Sequence, residues 1–151
     1  MKSYAISVCA IAICATAAAQ SEVISAKMKP GSWNTVTSGT QVNILNGVAQ
    51  EPDQIYEAEL IEVKLADDRR LSVDGLMVEP TCAPKNINRT SHTVNFDWTC
   101  PDSDVAITGR TEAVMATSLD KLTINMTFDI SSPKGQSKTN LNIISTLQPT
   151  Q

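Results

Sequence analysis

The chain has one histidine, His92, among 151 residues. Any Ser–His–acid or Cys–His nucleophile would have to run through it. It stands beside Ser91 in "NRTSHTV", and no nucleophile elbow occurs along the chain. Aromatic side chains are scarce, at 4%. Apart from Tyr4 they are Trp33, Tyr56, Phe96, Trp98 and Phe128. Surfaces that stack sugars or single-stranded nucleic acid spend more rings than this. Positive charge is also in deficit, with 12 basic against 16 acidic residues and a net charge of −4. That balance argues against nucleic acid and anionic lipid surfaces as partners. There is no Walker loop, no G-x-G-x-x-G and no C-x-x-C.

Metal chemistry has little to work with. The oxygen-rich spots are Asp67 and Asp68 in "ADD", and Asp102 and Asp104 in "CPDSD". The second has the opening alternation of a calcium loop but neither its glycine nor its closing glutamate. Both read as solvated turns, so the expectation is no metal and no cofactor. Glu57, Glu59 and Glu62 are close in sequence, as paired carboxylates for glycoside chemistry must be in space. Nothing else raises them above a charged strand face.

What is present begins with an export signal. In "MKSYAISVCAIAICATAAAQ", Lys2 gives a positive start, an apolar run follows, and Ala17 and Ala19 stand where signal peptidase needs small residues. Residues 1–19 read as a signal peptide, removed after Ala19. The run is too short for a permanent span, which takes about 20 residues, and no later stretch qualifies. Cys9 and Cys14 follow Val8 and Ile13 rather than a small residue, which argues against lipidation. Residues 20–151 are then a single domain with room for one core.

Cys82 and Cys100 remain after cleavage. In an oxidising compartment an even pair in a small domain is most simply one disulfide. It would close a loop of about 18 residues, worth roughly 3 kcal/mol by chain entropy.

The second half carries strong β periodicity. In "TVNFDWTC", Val94, Phe96 and Trp98 alternate with Asn95, Asp97 and Thr99. In "KLTINMTFDI", Leu122, Ile124, Met126, Phe128 and Ile130 line one face, with polar residues opposite. Period two marks strands with one buried and one wet face. "VAITGRTEAVMA" is a third strand, with a bulge or bend expected at Gly109. "SSPKGQ" is a turn, and "TNLNIISTL" is the returning strand with Leu141, Ile143, Ser145 and Leu147 inward. Ser91–Leu147 is thus a four-stranded antiparallel meander.

The first half is less legible. "SWNTVTSG" and "TQVNILNG" suggest a hairpin about Ser38–Gly39, with Trp33 anchoring one edge of the core. "DQIYEAELIEVKLADDRR" fits a strand better than a helix, in a hairpin about "ADDR" with "LSVDGLMVEP". Gln20–Ala26 and the "QPTQ" tail should fray. The expected fold is all-β: a single antiparallel meander of six to eight strands, curled, half-barrel or sandwich, with one disulfide.

The series "MKPGSW" (Met28–Trp33), Cys82, "VNFDWTC" (Val94–Cys100) and "AITGRTEAV" (Ala106–Val114) resembles a family of small exported proteins of Gram-negative bacteria, catalogued as a domain of unknown function. Many members end in a further glycine–cysteine element, whereas this chain ends in "IISTLQPTQ", and 41–80 matches poorly. The resemblance implies a periplasmic address and supplies no catalytic residues. The leading functional expectation is a non-enzymatic periplasmic β-protein. It would bind a small apolar ligand near Trp33, Phe96, Trp98 and Phe128, or an envelope protein on its open face. The alternatives are an accessory protein without a pocket, and a hydrolase joining His92 to Asp102 or Asp104.

Overall fold

The computed structural model describes residues 22–63, 70–72, 76–79, 81–101 and 104–150. The expected signal peptide, the expected turn at "ADDR" with Asp67 and Asp68, and Asp102 lie outside the described residues. The elements are β1 (Glu22–Lys27), β2 (Gly31–Leu45), β3 (Val48–Ala49), β4 (Asp53–Val63), β5 (Arg70–Ser72), β6 (Ala83–Arg89), β7 (Thr93–Cys100), β8 (Ala106–Met115), β9 (Lys121–Ser132) and β10 (Gly135–Leu147). The chain is all-β. Eight strands form one antiparallel sheet that does not close on itself, and β1 pairs with β5 in a separate two-stranded piece.

The meander is present as β7–β8–β9–β10, each strand paired with the next. The sheet then does something local periodicity cannot announce: β10 pairs with β2 over twelve consecutive residue pairs, from Gln136↔Ile44 to Leu147↔Trp33. Thr35 and Ser145 share a buried hydrogen bond of 2.8 Å across a separation of 110 residues. β4 lies on the far side of β2, and β3 continues that edge at the other end of β2. Pro52 falls in the break between them, where its missing N–H costs no ladder bond.

Three expectations are corrected here. There is no hairpin at Ser38–Gly39, because β2 runs straight through it, paired on both sides. The turn falls at Asn46-Gly47, with φ of 53° and 78°. An Asn-Gly pair takes two successive positive φ values at little cost, which is the geometry a tight hairpin needs. β4 is a strand as expected, but its partner is β2, while β5 pairs with β1. Glu22–Lys27 is a strand rather than a frayed start, because a distant segment supplies its hydrogen bonds.

Gly109 is the fourth difference. It sits in regular register, opposite Trp98 on one side and Phe128 on the other, with no bulge. The Trp98 and Phe128 rings approach over it, with centroids 5.9 Å apart. The missing side chain makes room for the Trp98 ring.

One face of the sheet is buried from β2 across to β7. Val94, Phe96 and Trp98, then Ala113 and Met115, then Leu122, Ile124, Met126 and Phe128, then Leu141 and Ile143, join Trp33 in one core cluster. Each large apolar side chain taken out of water contributes about 1.5–3 kcal/mol before entropy is charged against it. Met28, Leu76 and Met77 belong to the same cluster. Thr111 ties the 76–79 segment to the sheet: its Oγ1 accepts the Trp98 indole N–H at 2.9 Å and donates to the Leu76 carbonyl at 2.8 Å. Cys82 and Cys100, both buried, are joined as the expected disulfide.

Candidate functional site

Alternation places the four expected ligand-binding rings on the inner face. Trp33, Phe96 and Trp98 are 0% exposed and Phe128 is 4% exposed. Their polar atoms are committed within the protein. The Trp33 indole N–H donates to the Lys29 carbonyl at 2.9 Å, and that of Trp98 to Thr111. Trp98 and Phe128, with Gly109, lie under a shallow depression of about 400 Å³ whose other lining residues include Asp97, Thr108, Asp129 and Lys138.

His92 lies in the β6–β7 turn, where its Nδ1 is 2.8 Å from Ser91 Oγ. Its backbone carbonyl accepts the Met115 N–H at 2.8 Å. Asp104 follows the other end of β7. The intervening eight-residue strand is extended, at about 3.3 Å per residue. The chain therefore holds His92 and Asp104 at opposite ends of one strand and does not bring them together.

The carboxylates of β4 divide by register. Glu57 and Glu59 stand opposite Thr37 and Thr35, on the side of β2 that carries Trp33. Glu62 stands opposite Ser32 and accepts its hydroxyl hydrogen bond. Among the described residues no three His, Cys, Asp or Glu side chains gather in a metal-binding group, and no helix is long and apolar enough to cross a membrane.

On the outer face, Asp97 accepts hydrogen bonds from Arg110 at 2.9 Å and Asn86 at 3.1 Å. The Asn86 amide first, and then the Arg110 guanidinium, hold its carboxyl below the ordinary value. Asn125 accepts from Asn142 at 2.7 Å. Against this polar background one row is apolar at four of its five positions. The pairings run Ala58–Val36–Ile144–Thr123–Val114 straight across β4, β2, β10, β9 and β8. Tyr56 and Leu60 flank the row on β4 and are 75% and 64% exposed. Large apolar side chains gathered on a wet face mark places where proteins meet.

Tyr56, Leu60 and this row were not singled out by the sequence. Their signal was the phase of "QIYEAELIEV": once β4 is a strand, Tyr56, Ala58 and Leu60 share one side. The row itself needs the β2–β10 pairing, which no local pattern encodes. Comparison with known protein families, with curated proteins and with solved structures returned no match.

Proposed function

We propose that this is a non-enzymatic periplasmic binding protein, and that it works by docking another envelope protein on its open face rather than by enclosing a small ligand. The observation that carries the reading is the division of apolar side chains. The rings that could line a ligand cavity are sealed in the core, whereas Tyr56 and Leu60 stand in water beside an apolar row. The export signal and the disulfide support the address, since such bridges persist in oxidising compartments. The resemblance to exported proteins of Gram-negative bacteria points the same way.

Native mass spectrometry of the protein taken from its host's envelope without denaturation tests this reading. The expected spectrum has no small-molecule adduct. An adduct of a few hundred daltons that disappears on unfolding would favour the enclosed-ligand reading instead.

A further inference from the structure

The two ends of the sheet are built differently. At one end β6 is seven residues of "APKNINR", with Pro84 inside it, a register break between Lys85 and Asn88, and Asn86 at φ 54°. Proline, a bulge and charged side chains are the means by which sheets keep other strands from adding to an edge. At the other end β4 has neither proline nor bulge, and its charges are all of one sign, so they act against any strand that does not neutralise them. It runs eleven residues, Asp53–Val63, in unbroken register with β2, without proline or a basic residue. Among the described residues β2 is its only strand partner. Its far edge therefore offers a row of backbone donors and acceptors.

The charge on this edge selects what can add to it. Residues 51–63 hold five acidic and no basic side chains, against a net charge of −4 for the whole chain. The chain's acidic excess is thus concentrated on one edge. A second copy of β4 is a poor partner. Antiparallel self-pairing with full overlap is centred on Ala58 and sets Glu57 opposite Glu59 twice. A shift of one residue in the centre, either way, sets Glu57 or Glu59 opposite itself. Like charges directly opposite one another destabilise a strand pair.

We infer that the β4 edge accepts an extended segment of another protein by strand addition, and that the segment is basic on one side and apolar on the other. The inference rests on the docking function proposed above and names the partner's chemistry. The antiparallel complement of Tyr56–Leu60 alternates apolar, basic, apolar, basic, apolar. The two cations meet Glu57 and Glu59, and the apolar residues meet Leu60, Ala58 and Tyr56. Main-chain hydrogen bonds supply affinity and the alternate side chains supply choice, as in other strand-addition complexes.

The test is a titration of the isotope-labelled exported protein, followed by backbone amide shifts, with the peptide Thr-Val-Lys-Val-Lys-Val-Thr and its Glu-for-Lys counterpart. The lysine peptide should shift β4 amides and saturate, and the glutamate peptide should bind at least tenfold more weakly. Glu57→Lys/Glu59→Lys should reverse that preference, and Glu57→Gln/Glu59→Gln should abolish it while keeping side-chain size. No saturable shift up to about 1 mM peptide, shifts centred on β6, or an unchanged preference in the reversed variant would overturn strand addition. The docking function is decided separately, by crosslinking from the outer face in the envelope. A partner held at Tyr56 alongside peptide failure would mean docking on the face and not on the edge.

Discussion

The indole of Trp98 lies across Gly109 on the neighbouring strand, so close that a Cβ on that glycine would overlap the ring. By strand propensity alone most larger residues should be at least as good as glycine in β8. The packing predicts the opposite sign. Gly109→Ala should destabilise the protein by about 2–3 kcal/mol, because an overfilled core must move a ring or the backbone. Thermal unfolding followed by tryptophan fluorescence would show a midpoint several degrees lower. An unchanged midpoint would mean that the ring has room to move.

Two buried threonines on the same face should respond oppositely to one substitution. Thr111 Oγ1 serves both the Trp98 indole and the Leu76 carbonyl. Thr111→Val keeps the shape and leaves a buried donor and a buried acceptor without partners, a cost of about 2–4 kcal/mol. Thr139 Oγ1 is buried with no hydrogen-bond partner among the described residues. Thr139→Val removes an unpaired hydroxyl and should be neutral or stabilise by about 1 kcal/mol. Urea unfolding of the two variants checks both signs at once.

Reducing Cys82–Cys100 should lower the melting temperature by several degrees, in line with roughly 3 kcal/mol for a loop of this length. Cys82→Ala/Cys100→Ala should melt where the reduced protein melts. Equal midpoints for the oxidised and reduced protein would contradict this.

The Asp97 carboxylate gives a pH signature. Its folded pKa is depressed by Asn86 and Arg110 below the ordinary 3.8, so the unfolded chain binds this proton more readily. The stability this adds is present above the unfolded pKa and is lost as pH falls through the folded one. Wild type should therefore exceed Asp97→Asn in stability at neutral pH, and the gap should close in strong acid. The side chain is exposed and screened, so the gap is small. A gap that widened on acidification would reverse the assignment.

The meander from Thr93 to Leu147 was legible in the sequence because each strand there buries one face and wets the other. Leu122 to Ile130 spell that alternation without a break, and Cys82 and Cys100 are the two cysteines outside the expected signal peptide. The first half was obscure for physical reasons. β2 is paired on both sides, and it buries Thr35 and Thr37 on its inner face while carrying Val36 on the outer one, so its alternation does not tell the buried side from the wet one until Ser145 supplies a partner from the other end of the chain. Gly109 suggested a bulge because a strand glycine usually marks one, and only the facing rings reveal another use. The candidate surface depends on the same distant pairing, since Val36 meets Ile144 only when β10 lies beside β2. Trp33, Phe96, Trp98 and Phe128 stood out in composition, and their burial makes them core, whereas Tyr56 stands in water.

The most direct test of the central claim is site-specific photo-crosslinking in the intact envelope, with the photoreactive residue placed in turn at Tyr56, Leu60 and Val114, and at Ile87 on the opposite edge. All four positions are exposed. The account predicts one discrete protein adduct from Tyr56 and Leu60, a weaker one from Val114 and none from Ile87. Equal labelling at all four sites, or labelling at Ile87 alone, would contradict it.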